Sequence, residues 1–343
     1  MSRFFLYFVL LFAVSNCMAQ KDSVRKYLDC NLQFTTQKNA VYPAMAIHND
    51  DHWKLFAVYP DTLPLLQIWF ADAGLTIMDG PYLLYHPKRQ KAQAGNFKNG
   101  IADGHWQSWY PNGRAKSDGN LVQNHLAGTW KTWYENGQPE SEESYQYTAP
   151  EARGPSFHES SPALKAQQLL VNVEAAGVQE GPAFTWYNNG NKESVVNYHN
   201  DTLSGACAWY RENGKPSSKE TYVNGKVTEL ECYDEEGKYT GASCSILKQP
   251  VLIHPMFTAL DYIEYELHKE KNKDIRDEGE AEIAFTVTKK GTVENLVINR
   301  TTGAALSEHI MKIFRGMPAW SPAFIHNRAV DYPVKLVVPY YRE

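Results

Sequence analysis

An internal repeat constrains the fold of this chain more than any other feature of its sequence. The segment Gly104–Gly113 has the pattern Gly-x-Trp-x-x-Trp-Tyr-x-Asn-Gly, and Gly128–Gly137 repeats that pattern 24 residues later. Further copies, some of them weaker, begin at Gly80, Gly181, Gly205 and Cys232. A period of this length indicates an array of similar structural units that stack on one another.

Each copy is predicted to form a β-hairpin. Alternation along the first segment places aromatic side chains on both faces of a strand, and Trp and Tyr favour half-buried strands. The Asn-Gly pair that follows is typical of a tight turn, after which Ala115–Val122 returns as the second strand. A single hairpin is barely stable in water, so the copies must bury their aromatic rings against one another. We expect these tryptophans in that repeat core: Trp106, Trp109, Trp130, Trp133, Trp186 and Trp209.

These blocks resemble the MORN-type repeat, a hairpin module also present in the antitoxin-like YwqK family. The resemblance covers residues 76–241, with an interruption at about 140–175 that contains several Pro, Gly and Ser residues. It implies a mainly β array of hairpins, and the fold alone does not give a function. Residues 20–75 are predicted to cap the first repeat, with a short helix in Lys21–Leu32 and strands in Asp51–Tyr59 and Leu65–Phe70.

Residues 1–19 are predicted to be a secretory signal peptide. Arg3 supplies the positive end, Phe4–Ser15 is an apolar run, and Cys17–Ala19 places small residues before the expected cleavage at Gln20. This run is too short to span a bilayer as a helix, which takes about 20 residues. We therefore expect an exported protein of the periplasm or of the outer-membrane face. The alternative is a lipoprotein that carries its lipid on Cys17.

The overall charge argues against two classes of partner. The formal net charge is −5 at pH 7. Nucleic acid and anionic lipid both select proteins with a basic face. We therefore expect a protein of the cell envelope as the partner, rather than a nucleic acid.

Four cysteines follow the predicted signal peptide, and export makes disulfides possible. Cys207 and Cys232 lie in adjacent repeats, which predicts a diagonal disulfide between neighbouring strands. A bond between Cys232 and Cys244 is the alternative. The sequence contains neither a Cys-x-x-Cys motif nor a Cys/His cluster of the kind that would indicate a structural metal.

The pattern changes after a predicted linker at residues 242–256. The predicted elements are a helix in Phe257–Lys271, strands in Glu280–Val287 and Val293–Arg300, a helix in Ala304–Phe314 and a last strand in Val330–Tyr340. These elements and the box Met317-Pro318-Ala319-Trp320-Ser321-Pro322 resemble the C-terminal domain of TonB-type energy transducers, as in TonB family proteins of Bacteroidota. The predicted fold is therefore an array of MORN-like hairpins followed by a small TonB-like α+β domain at residues 257–343.

The resemblance to TonB implies a place for a partner. The final strand has no later strand to pair with, so one of its sides is expected to be an open edge that accepts a peptide by strand addition. The residues of that edge are Val334, Lys335, Leu336, Val337 and Val338. An outer-membrane receptor, or a peptide from it, is the partner that the resemblance implies.

The first hypothesis is thus a non-enzymatic binding or scaffold protein of the envelope. The second is an energy transducer for TonB-dependent transmembrane transport, although the sequence has no Pro-rich spacer and no clear N-terminal membrane anchor. A hydrolase is the third and is disfavoured.

Catalytic and metal motifs are weak. Ser245–Lys248 matches Ser-x-x-Lys without its companion motifs, and Glu280 with Glu282 could pair two carboxylates for acid–base work. His48 and His52 have the spacing of helical metal ligands, but a turn-like sequence separates them. We expect no catalytic residue, no metal, no cofactor and no small-molecule substrate.

Overall fold

The computed structural model describes residues 23–49, 51–148, 177–269 and 278–341. The predicted signal peptide at residues 1–19 lies outside these ranges. The described chain divides into two compact units: one runs to Cys207 and includes residues 222–226, and the other contains residues 208–221 and everything from residue 227 onward.

The first unit begins with four antiparallel strands. They are β1 (Ser23–Leu28), β2 (Tyr42–Asn49), β3 (His52–Val58) and β4 (Pro64–Phe70), with a 3-10 turn at Gln37–Asn39 between the first two. Strands β3 and β4 agree with the predicted strands in this region. The predicted helix in Lys21–Leu32 is wrong, because residues 23–28 pair with β2 and Leu28 is fully buried in the shared core.

The repeats form the antiparallel hairpins that the period predicts. Their strands are β5 (Met78–Tyr85), β6 (Lys91–Lys98), β7 (Ile101–Ala102), β8 (Gly104–Trp109), β9 (Ala115–Val122), β10 (His125–Trp133), β11 (Pro139–Gln146), β12 (Val178–Trp186), β13 (Lys192–His199), β14 (Thr202–Leu203), β15 (Gly205–Tyr210), β16 (Pro216–Val223), β17 (Lys226–Tyr233) and β18 (Tyr239–Gly241). The boundaries between the two units fall within β15, β16 and β17.

The Asn-Gly turn closes each repeat in the same way. In the hairpin of β8 and β9, the amide of Tyr110 donates to the carbonyl of Arg114, and the amide of Gly113 donates back to the carbonyl of Tyr110, both at 2.8 Å. Gly113 has a φ of 84°, which a side chain would strain. The three-residue loop and the register shift at Trp109 are the geometry expected when a type I turn is followed by a left-handed glycine.

Glycines on the second strands make room for the first tryptophan of the next repeat. A Cβ atom on Gly95 would lie 2.1 Å from the indole of Trp106, and one on Gly119 would lie 1.9 Å from the indole of Trp130. Each indole therefore lies flat on the backbone of the preceding hairpin. Stacking between repeats is thus encoded by a Gly and a Trp in successive copies.

The interruption between repeats lies in a narrower segment than the sequence predicts. Pro139–Gln146 is strand β11, and it pairs directly with β12, with Gln146 opposite Val178. Residues 140–146 therefore belong to a hairpin, and the long segment that follows them joins two adjacent strands. Most of that segment, residues 149–176, lies outside the described residues.

The second unit ends in a small α+β arrangement. Its elements after the repeats are β19 (Leu247–Lys248), β20 (Val251–Leu252), α1 (Ala259–Lys269), β21 (Gly279–Val287), β22 (Val293–Thr301), α2 (Ala304–Arg315), β23 (Trp320–Ser321), β24 (Ala323–Ile325), β25 (Arg328–Val330) and β26 (Tyr332–Tyr340). Both helices and the long strands agree with the sequence prediction, except that the last strand is divided into β25 and β26.

Strands β21, β22 and β26 form an antiparallel sheet in the order β22–β21–β26. The helices pack on one face of it around a core that contains Ile263, Ile283, Ile310 and Trp320. The segment predicted as a linker, residues 242–256, contains β19 and β20, which pair with β24 and β23. It therefore belongs to the folded unit.

Neither of the two helices in the described residues has the length and hydropathy needed to cross a bilayer.

Candidate functional site

The final strand β26 lies at one edge of its sheet. All nine of its residues are paired with β21, from Tyr332 opposite Val287 to Tyr340 opposite Gly279. In the part of the chain that the structure describes, no strand pairs with the other side of β26. Such an edge presents N–H and C=O groups that another extended chain can bind.

Two prolines restrict the open part of this edge. Pro333 and Pro339 have no N–H for the ladder with β21, which favours positions where their nitrogens face away from that strand. Lys335 and Val337 have the same parity, so their backbone groups face outward as well. The outward edge therefore offers hydrogen bonds over a short central stretch.

The side chains of β26 divide between the two faces as the sequence predicts. Val338 is fully buried, and Val334 and Leu336 pack against the core beneath the helices. Lys335 is exposed and Val337 is 50% exposed on the opposite face. A chain added at this edge would thus meet one cation and one apolar side chain on the outer face.

Two carboxylates on this sheet interact with the same arginine. Glu280 accepts a hydrogen bond from Arg300, whose Nε also lies 3.9 Å from an oxygen of Glu282. One guanidinium therefore interacts with both carboxylates. The pair forms a surface ion network around Arg300.

The tryptophans of the repeats lie on two different faces. Trp106, Trp130 and Trp209 are buried, in agreement with the predicted repeat core. Trp109, Trp133 and Trp186 are only half-buried, so the prediction that they belong to the same core is wrong. The reason is strand alternation, because Trp106 and Trp109 are three positions apart and point to opposite sides.

Tyrosines at the turns connect each repeat to the next. The hydroxyl of Tyr110 donates to the carbonyl of Trp133, and the hydroxyl of Tyr134 donates to the carbonyl of Trp186, both at 2.7 Å. Burial raises the pKa of both phenols, which favours the protonated donor form.

Turn asparagines add a second connection. Asn112 donates to the carbonyl of Glu135 at 3.0 Å, and Asn136 donates to the carbonyl of Asn188 at 2.6 Å. Their side-chain oxygens accept from backbone amides of their own turns. The turns at this end of the hairpins therefore form a continuous hydrogen-bonded ladder.

The repeat that begins at Gly205 differs at several of these positions. Three other hairpins pair hydroxyls across their strands: Ser108 with Ser117, Thr132 with Ser141, and Thr185 with Ser194. Trp209 occupies the first hydroxyl position in this repeat, and Arg211 occupies the position of the turn tyrosine. The sequence signal is one extra residue between Trp209 and the Asn-Gly pair.

The side chains that differ in this repeat contact the turn between β24 and β25, which we call the His326 turn (His326–Asn327). The ring of His326 stacks on Trp209 with centroids 3.7 Å apart, and its Nδ1 donates to Oε1 of Glu220 at 2.9 Å. The Glu220 side chain is fully buried. The buried carboxylate of Glu220 is thus hydrogen-bonded to His326, as a buried charge requires a partner.

Backbone contacts complete this arrangement. Arg211 donates to the carbonyls of Tyr233 (2.9 Å) and Asn327 (3.0 Å), and Ser217 donates its hydroxyl to the carbonyl of His326 at 3.0 Å. Asn327 in turn donates to the carbonyls of Ser217 and Tyr233. Sequence reasoning missed His326, Asn327 and Glu220.

The disulfide is the alternative pairing. Cys232 is bonded to Cys244, so the predicted bond between Cys207 and Cys232 is wrong. Strand β18 pairs Gly241 with Cys232, and this returns the chain to the neighbourhood of Cys232. Cys207 is buried at the position that Trp106 and Trp130 occupy in their repeats.

Residues of the weak catalytic and metal motifs contact other side chains in the fold. His52 Nε2 contacts Asp79 at 3.0 Å, while His48 packs against Trp53 on the neighbouring strand. The Nζ atom of Lys248 lies 5.9 Å from the centre of the Phe324 ring. Among the described residues, no group of three or more His, Cys, Asp or Glu side chains is arranged to hold a metal ion.

Comparison with known families addresses the repeats. Three segments match the family model described as the MORN repeat variant: residues 126–147, 179–200 and 203–224. The chain carries MORN-type repeats. Each matched segment covers one hairpin with its turn, namely β10–β11, β12–β13 and β15–β16. No curated protein matches the chain.

The MORN repeats give the chain a repeat-based architecture of the kind used for binding and scaffolding. The matched segments include two differences from the copy at Gly104. Ala183 and Cys207 stand where Trp106 and Trp130 lie in theirs. The third matched segment also contains Trp209, Arg211 and Glu220, which hold the His326 turn.

Proposed function

We propose that this protein is a non-enzymatic binding and scaffold protein of the bacterial envelope. Its MORN repeats supply an extended β-scaffold, and its C-terminal TonB-like domain binds an extended peptide of an envelope protein along β26. Export through the segment at residues 1–19 is part of this proposal. A peptide from an outer-membrane receptor is the partner that fits the resemblance to TonB.

The open side of β26 is the observation that carries the proposal. The strand is held to β21 over its whole length, so binding at its other side needs no rearrangement of the sheet. The outward backbone groups of Lys335 and Val337 supply hydrogen bonds without regard to the partner's sequence, and the half-exposed Val337 side chain adds apolar contact. The prolines at each end limit the addition to a short segment.

A proline at position 335 tests this mechanism. Lys335→Pro removes one outward N–H and leaves the hydrogen bonds to β21 in place, so the fold is expected to persist while partner binding is lost. The matched control is Lys335→Ala, which removes the charge but keeps the N–H group and is expected to retain most of the binding.

The measurement is capture of envelope proteins by the full chain, followed by the affinity of the captured partner for each variant. Circular dichroism checks the fold of both variants. Unchanged affinity of Lys335→Pro for the partner, with the fold intact, would rule out strand addition at β26.

A further inference from the structure

Strand β1 gives the first unit an open edge of its own. It pairs with β2 on one side over all six of its residues. On the other side, the described residues contribute only the short contact of Phe34 and Thr35 with the end of β1. The rest of that side has no strand in register among the residues that the structure describes.

The contact with Thr35 shows which backbone groups face outward. The amide of Thr35 donates to the carbonyl of Tyr27 at 2.9 Å, so Tyr27 directs its backbone away from β2. Residues two apart along a strand direct their backbone groups to the same side, which places those of Arg25 and Ser23 on the outward side too. The chain of Thr35 does not continue along them, because it turns into the 3-10 segment Gln37–Asn39.

A groove lies along this unfinished strand position. Its volume is about 470 Å³, and it is lined by Arg25, Lys26, Tyr27, Phe34, Thr35 and Thr36. It is open to solvent and lies between residues 25–27 of β1 and residues 34–36, beside the outward backbone groups of Arg25. An extended chain in this groove would continue the strand that Phe34 and Thr35 begin.

The charges of the groove select the chemistry of that chain. Arg25 and Lys26 are neighbours on a strand, so they lie on opposite faces and place one cation on each side of the edge. Neither forms an ion pair in the described part of the chain. The nearby carboxylate of Asp29 is held by the amides of Asn31 and Gln33 in its own loop, at 2.8 and 2.9 Å.

Val24 lies on the same face as Lys26 and is 43% exposed, so its side chain is accessible to a chain added beside β1. We propose that β1 and its groove bind an acidic, extended peptide segment of a partner protein, which adds to β1 as a further strand. This site is independent of β26 and of the proposed function of the C-terminal domain. The expected partner segment places its carboxylate side chains on the face of Arg25 and its apolar side chains on the face of Val24, so the two kinds alternate along it.

A charge reversal and a backbone substitution test the proposal. The probe is a short fluorescent synthetic peptide of alternating Glu and Val, with a Lys and Val peptide as its counterpart, and the readout is fluorescence anisotropy with the full chain. Arg25→Glu is expected to weaken binding of the Glu peptide by about tenfold, since it converts an attraction into a repulsion. Lys88→Glu makes the same change of charge in an exposed turn and is expected to leave binding unchanged.

Arg25→Pro, compared with Arg25→Ala, separates the backbone from the charge, because both variants lack the guanidinium and only the proline lacks the N–H group. The proline removes an outward N–H while the bonds between β1 and β2 remain, so peptide binding is expected to fall below that of Arg25→Ala although circular dichroism is unchanged. Amide exchange of Arg25 is expected to slow when the Glu peptide binds to the wild-type chain.

Three outcomes would overturn the proposal: equal binding of the Glu and Lys peptides, unchanged binding by Arg25→Glu, or no binding of the Glu peptide by the folded wild-type chain. Loss of peptide binding through a concentration-dependent dimer that buries β1 would also overturn it, because the occupant would then be a second copy. None of these results depends on the Lys335→Pro experiment, so the two proposals fail separately.

Discussion

Trp106 and Trp109 show how much the environment of one residue type can vary within a repeat. Trp106 lies on the backbone of Gly95 and is 1% exposed, and it contacts the rings of Tyr82 and Phe97. Trp109 points to the other face, where the Lys91 ammonium group lies 5.7 Å from the centre of its ring. The two positions should therefore respond differently to the same substitution.

We expect Trp106→Ala to lower the free energy of unfolding by about 3–5 kcal/mol, because it leaves a large cavity in the core. Trp109→Ala is expected to cost less, about 1–2 kcal/mol, because its ring is already half in water. Urea denaturation of the two variants measures the difference. Equal losses would mean that both faces of the hairpins are packed to the same degree.

Asp79 provides a pH-dependent contribution to stability. A hydrogen bond from His52 and a bond from the amide of Asn99 hold the pKa of the Asp79 carboxyl below its usual value, against the opposing effect of burial. A carboxyl group whose pKa is lowered by folding stabilises the protein above the pKa of the unfolded chain, and this stabilisation is lost as the pH falls through the folded pKa.

Asp79→Asn should therefore lower the free energy of unfolding at neutral pH by about 1 kcal/mol. The difference from the wild type should shrink as the pH falls into the acid range, and melts at a series of pH values measure it. A difference that stays constant down to strongly acid pH would show that the ionised carboxylate is not what stabilises the contact.

At the scale of elements, the repeat that begins at Gly205 has side chains that hold another element. Its Trp209, Arg211 and Glu220 all contact the His326 turn. In the repeat that begins at Gly104, the same three positions are Ser108, Tyr110 and Gly119. Residues 208–221 of this repeat and the C-terminal strands thus belong to one compact unit, as the division of the chain also indicates.

Trp209→Thr restores the hydroxyl that other repeats carry at this position and removes the surface on which His326 stacks. We expect the hairpin of β15 and β16 to remain folded while amide exchange at His326 and Asn327 becomes about tenfold faster or more. Glu220→Gln is the companion variant, because it keeps the shape of the side chain and removes its charge. Unchanged exchange in both variants would mean that the short strands β24 and β25 fix the turn without help from the repeat.

The sequence predicts most elements and misses the contacts between distant ones. The period of 24 residues and the Asn-Gly turns locate the hairpins, since both signals are local. Alternation places Trp109 and Trp133 on the face opposite Trp106 and Trp130, but it does not show that this second face is only half-buried. The contact of Glu220 with His326 joins residues 106 positions apart, and no local pattern encodes it. Strands as short as β19 and β20 leave no periodic signal either.

At the scale of the whole molecule, the start of the mature chain decides where the protein acts. The apolar run at Phe4–Ser15 is the basis for predicting an exported protein. We expect the mature protein to begin at Gln20, and mass spectrometry of the protein from its native cells measures this. A retained N-terminus would favour the energy transducer, and a lipid on Cys17 would place the chain at a membrane surface.

The hydrogen-bonded turns also bear on how such a chain can change in evolution. At one end of the hairpins, each turn donates hydrogen bonds to the following hairpin and accepts them from the preceding one, as Tyr110 and Asn112 show. A residue inserted in such a turn would disturb its hydrogen bonds with both neighbours. At the opposite end, β11 ends at Gln146 and β12 begins at Val178, and these two residues are paired although 31 residues lie between them in the sequence. Insertions can thus be tolerated at the end of the hairpins where Gln146 pairs with Val178, because the entropic cost of closing a loop grows slowly with its length. The Asn-Gly turns at the other end keep their length.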